Sequence, residues 1–166
     1  MRKLWVGLLV GVMTFAIGGI AKAATDTSTV QVTVAAIDAL VVTDGGTITL
    51  DEVAGNNITG DPDTTARLSY THNFATNRMI TAEVLAGGMP AGTQDITLTV
   101  AVAGGAGTVT LVSGGTRYGS PQAVWNNIPR GAISDATVTY GASATASGTE
   151  AGSYTFTVTF TSTDQT

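Results

Sequence analysis

The chain has 166 residues, twelve acidic against seven basic, no cysteine, and a formal net charge of −5. A length of this order fits one compact domain after a short leader. The acidic balance disfavours nucleic acid and anionic membrane surfaces as partners, since both need a basic face. Without cysteine there are no disulfides, so stability must come from sheet packing, partners or bound ions.

The N-terminus reads as a secretory signal peptide over residues 1–23. Arg2 and Lys3 give a basic start, Leu4–Ile20 is uncharged and mostly apolar, and Ala21-Lys22-Ala23 places small residues where a signal peptidase reads. The expectation is export to the cell surface, the extracellular space or a periplasm, with cleavage before Ala24. An uncleaved anchor is the alternative, but Leu4–Ile20 is near the lower limit for a span and holds four glycines. No stable membrane span is expected after cleavage. Residues 24–166 then form a single domain that keeps four arginines, no lysine and all twelve acidic residues, a side-chain balance of −8. The missing lysine excludes Lys–Asn isopeptide crosslinks.

From Ala24 on, apolar residues and threonines alternate with period 2, the pattern of half-buried antiparallel strands. Val30, Val32 and Val34 alternate with Gln31 and Thr33. A denser run, Ile37 to Val42, follows. Ile48 and Leu50 alternate with Thr47 and Thr49. Leu68 and Tyr70, then Ile80, Ala82 and Val84, give two further strands. Ile96, Leu98, Val100 and Val102 form the cleanest inner face in mid-chain, and Val109 and Leu111 follow a Gly104–Gly107 turn. Val138 and Tyr140 share a face in Thr137–Tyr140. Tyr154, Phe156, Val158 and Phe160 alternate with threonines at the end.

Threonine suits the outer face because its β-branch fits a pleated strand and its hydroxyl keeps that face wet. Asp44-Gly45-Gly46, Gly60-Asp61-Pro62-Asp63, Gly87-Gly88-Met89-Pro90 and Ser113-Gly114-Gly115 are turn-formers. No window reads as a long amphipathic helix. About eight to ten short strands predict an all-β fold, an antiparallel Greek-key, immunoglobulin-like β-sandwich, with a closed barrel second.

Gly152–Thr161 is the strongest single element, and its one-face aromatics predict a central strand with Phe156 and Val158 in the core. The pattern Ala-Gly-x-Tyr-x-x-x-Val-x-Phe over Ala151–Phe160 resembles the last strand of exported fimbrial and spore-coat-U-like β-sandwich subunits. The resemblance extends back to Ala136-Thr137-Val138-Thr139-Tyr140, about the last thirty residues. It implies a surface subunit that assembles by strand exchange and has no enzymatic role. The chain departs from that group in lacking a cysteine pair.

Five groups of residues are candidate sites. His72 is the only histidine, no Gly-x-Ser-x-Gly elbow accompanies it, and the plain reading is a turn or edge histidine. Asp61 and Asp63, with Asp51 upstream, form the densest oxygen cluster. Calcium takes six to eight such ligands, but the spacing matches no EF-hand, and a solvated turn is the alternative. A structural Ca²⁺ is thus the one cofactor considered. Tyr118 and Trp125, in a predicted loop beside Gln122 and Asn126, could stack on a sugar ring; otherwise Trp125 plugs one end of the sandwich. Asn57-Ile58-Thr59 is a glycosylation sequon, also in a predicted loop.

Val30, Val32 and Val34 are the fifth group. A flexible polar lead into an alternating strand can add to the open edge of a neighbouring sheet, though the same residues would also make an ordinary first strand. The reading is therefore an exported structural or assembly protein of the cell surface, a filament, coat or matrix subunit and not an enzyme. Its partner would be itself or another envelope protein. An exported carbohydrate- or ligand-binding module is the alternative.

Overall fold

The computed structural model describes residues 29–165 apart from 44, 92 and 93. The signal peptide and its cleavage site lie outside the described residues. By its contacts the chain divides into Met1–Val34 and a compact unit, Ala35–Thr166.

The compact unit is all-β, with two packed antiparallel sheets, as its alternation predicts. Its strands are β1 (Asp38–Thr43), β2 (Glu52–Ala54), β3 (Asn57–Thr59), β4 (Arg67–His72), β5 (Arg78–Val84), β6 (Ile96–Val102), β7 (Val109–Ser113), β8 (Thr116–Arg117), β9 (Gln122–Ile128), β10 (Gly131–Thr145) and β11 (Val158–Asp164). The larger sheet runs β1-β4-β10-β6-β7-β8, with the β2–β3 hairpin on β10; the smaller runs β11-β5-β9. Among the described residues, no helix is long and apolar enough to cross a membrane.

β10 organises the larger sheet. One of its edges meets β4, then Asp63, then β3, while the other pairs with β6. Its fifteen residues stay in one element because a bulge at Ser134–Asp135 absorbs the twist. Asp135 sits there at φ 60°, its N–H donating to Ser69 Oγ at 3.1 Å. The β7–β8 hairpin closes on Gly114 and Gly115, at φ 53° and 73°, the two left-handed positions of a two-residue turn.

The core lies where the alternating faces meet. Leu68, Tyr70, Val100, Leu111 and Val138 of the larger sheet face Ile80, Ala82, Val84, Val124 and Ile128 of the smaller one, all essentially closed to solvent. Several expectations need correction here. Thr47–Leu50 keeps its alternation, with Ile48 and Leu50 half-buried, but joins no ladder. The strands of that region are the β2–β3 hairpin, whose Gly55–Asn56 turn is fixed by a reciprocal pair of bonds: Asn56 Nδ2 donates to Ser147 Oγ, and the Ser147 N–H donates to Asn56 Oδ1. The sequon Asn57–Thr59 is therefore strand β3 and not loop.

The Tyr118–Trp125 stretch, read as loop, runs into strand β9 from Gln122 on. Its alternation is broken by register shifts against β5 and by Asn127 at φ 54°. The final strand also differs. Tyr154 and Phe156 are half-buried but precede the ladder, which starts at Val158 and continues to Asp164. β11 lies at the edge of its sheet; the central strand is β5.

Candidate assembly groove

Two sheet edges meet along one side of the sandwich. β1 pairs only with β4, and β11 only with β5, among the described residues. Between them runs an open groove of about 490 Å³ lined by Asp38, Leu40, Val42, Val158, Phe160, Thr161 and Ser162. The period-2 geometry of each strand makes this lining, since residues two apart share a face. The core is uncovered along this side. Leu40, Val42, Val158 and Phe160 are half-buried, whereas Leu68 and Tyr70 beside β1, and Ile80, Ala82 and Val84 beside β11, are at most 1% exposed. Each edge strand also offers unpaired backbone N–H and C=O groups, which is a template for another strand.

One end of the groove is closed by a polar cluster. Arg78, 7% exposed, donates to Asp38 Oδ2 at 2.7 Å and to Asp164 Oδ1. Tyr70 and Ser162 each donate to Asp38 Oδ1, at 2.8 and 3.0 Å, and their hydroxyls lie 2.7 Å apart. Phe74 stacks under the guanidinium, 4.8 Å from ring centre to Cζ. Burial opposes the charged form of Arg78, but Tyr70, Asp164 and Asp38 outweigh it and hold the group above its ordinary range. Burial likewise pushes the Tyr70 phenol up. The cluster ties β1 to β11 through side chains at this end. Towards Val42 and Val158 the lining is apolar. The sequence reading missed Arg78, because a lone arginine among strand residues looks like a solvated charge.

The segment before β1 is the other half of the picture. Thr29–Ile37 is in no strand, so the expected Val30–Val34 strand is not formed. Val30, Val32 and Val34 are 79%, 79% and 74% exposed. That is unusual for three alternating valines, since large apolar side chains gain about 1.5–3 kcal/mol each from burial.

The remaining candidates stand apart from the groove. Asp51, Asp61 and Asp63 line one shallow pocket with Thr47, Thr49 and Pro62. Asp63 Oδ1 accepts from the Thr65 N–H at 3.0 Å and its hydroxyl at 2.8 Å, which hold its carboxyl below the usual carboxylate range. Among the described residues no group of three His, Cys, Asp or Glu side chains is placed to hold a metal ion. Asp63 thus acts as a loop staple.

Trp125 is half-buried on β9 against the core, with the Gly104 turn over its ring. Tyr118 is 45% exposed in the β8–β9 connection, and the two make no aromatic contact.

His72 ends β4 and is 2% exposed, so it is a core residue and not an exposed turn or edge histidine. Its Nε2 lies 2.9 Å from Pro129 O and 3.2 Å from Ile128 O, and its ring stacks between Tyr70 and Phe74. No family model, no curated protein and no solved structure matches the chain.

Proposed function

We propose that this chain is an exported, non-catalytic structural subunit of the cell surface, joined to its neighbours by strand addition. In this reading Val30, Val32 and Val34 of one copy fill the groove between β1 and β11 of the next. The observation that carries it is the pairing of two complementary defects: a groove with free edges, open over the half-buried Leu40, Val42, Val158 and Phe160, and three exposed valines at strand spacing. An inserted strand satisfies both edges with backbone hydrogen bonds and buries its alternate side chains. A head-to-tail contact of this kind does not close on itself and gives a filament. The fimbrial and spore-coat-U-like resemblance of Ala136–Phe160 points the same way. The reading takes His72 as a packing residue, its stacked imidazole being closed to solvent.

The test is electron microscopy and sizing of the mature chain beside a Val32→Asp variant. The expected outcome is concentration-dependent oligomers or fibres from the parent and none from the variant, which stays folded and loses only the stability that strand addition supplies. Assembly that survives Val32→Asp would remove the Val30–Val34 arm from the reading.

A further inference from the structure

The arm Val30–Val34 is connected to β1 of its own chain by only Ala35, Ala36 and Ile37. That short connection gives it a competing destination. A reversal over those three residues would lay the arm antiparallel to β1 as a hairpin. Val32 would then face Leu40, and Val30 would face Val42, inside the chain's own groove. A chain that fills its own groove has no arm to give and no groove to offer.

Asn73 stands at the point where that reversal would have to occur. It is the first residue after β4, opposite Ile37 in the register that pairs Asp38 with His72. Its backbone N–H donates to Ile37 O at 3.2 Å, prolonging the β1–β4 ladder by one rung. Its side-chain Oδ1 accepts from Ile37 N at 2.8 Å, and its Nδ2 donates to Ala35 O at 2.7 Å. These three bonds hold both ends of the Ala35–Ile37 connection along β4, in line with β1. A hairpin turn there would break them.

Resting on the strand-addition reading, we infer that Asn73 is a partner-selecting residue: it holds the root of the arm straight, denies the arm its own groove, and so reserves each groove for a second copy of the chain. An asparagine suits this role because one amide presents a donor and an acceptor side by side, here used on two backbone groups of the same connection. A leucine at this position would keep only the backbone bond to Ile37 O.

The absence of cysteine makes the test clean. A Val32→Cys/Leu40→Cys double variant of the mature chain reports both destinations under mild oxidation. A bridge between chains gives a ladder on a non-reducing gel, and a bridge within a chain gives a fast-running monomer. With Asn73 present, the ladder is expected. Adding Asn73→Ala should shift the ratio towards the internally bridged monomer by about tenfold to thirtyfold, the scale of two ordinary hydrogen bonds.

Asn73→Ala could also loosen β4. A second variant therefore leaves Asn73 intact and inserts two glycines between Val34 and Ala35, giving the arm slack to turn. It should shift the ratio the same way. The inference is overturned if the internally bridged monomer already dominates with Asn73 present, or if the ladder is undiminished in both relaxed variants. If neither product forms in any background, the arm does not enter the groove at all, and the strand-addition reading falls together with this one.

Discussion

Arg78 is nearly closed to solvent, while Asp38 and Asp164 keep 31% and 67% of their side-chain surface. The guanidinium is therefore the group whose loss matters. Removing it leaves Asp38 and Tyr70 facing an empty buried site. Arg78→Ala should cost about 3 kcal/mol, the low end for breaking a buried pair, because both carboxylates still reach water. Asp164→Asn should stay within about 1 kcal/mol, as exposed ion pairs do. Urea denaturation of the two variants checks the order, and equal costs would mean that the cluster draws its strength from Asp164.

Asp63 gives a second test at this scale. Its folded carboxyl titrates below its ordinary value of 3.8, first because the Thr65 N–H bonds the charged form. A depressed carboxyl contributes stability above its ordinary value and loses it as pH falls through the lower folded value. Asp63→Asn should accordingly lower the urea midpoint near neutrality and flatten its fall below about pH 4, so that the two proteins converge in acid. An unchanged acid limb would show that the Asp63–Thr65 bonds carry no stability.

Among the elements, cost should follow burial and not the strength of the sequence pattern. Leu68 on β4 is 0% exposed, and Leu68→Ala should cost about 3–4 kcal/mol. Phe156 is half-buried and precedes its ladder. Phe156→Ala should therefore cost about 2 kcal/mol, roughly half the value for a fully buried phenylalanine. Thermal or urea melts settle the order, and a larger loss at Phe156 would contradict the edge placement of β11.

The same contrast shows what was legible in the sequence. β4, β5 and β6 were readable because each is paired on both sides and keeps unbroken alternation. β9 was not, because its register shifts against β5 and the left-handed Asn127 interrupt the period that identifies a strand. The β2–β3 hairpin was passed over although Gly55-Asn56 between Val53 and Ile58 is a two-residue turn signal. Val30–Val34 and Thr47–Leu50 failed in the opposite sense. Alternation records a face that can be buried, but it does not supply a partner strand. The valines of the groove hypothesis were thus visible in the sequence. The groove was not, because it depends on which two strands are left at the sheet edges, and that is a property of topology.

For the whole molecule, strand addition requires that the arm and the groove recognise each other as separate pieces. A ligand that binds the folded state raises its stability by mass action, by about 2.7 kcal/mol at a hundredfold excess over Kd. The most direct measurement is the melting temperature of the full mature Val32→Asp chain, whose own arm is disabled, titrated with a synthetic peptide spanning Thr29–Ala36. The native peptide should raise the melting temperature by several degrees in a concentration-dependent way, and the same peptide carrying Val32→Asp should leave it unchanged. No shift at saturating native peptide, or an equal shift with both peptides, would contradict the claim that the β1–β11 groove takes the Val30–Val34 strand.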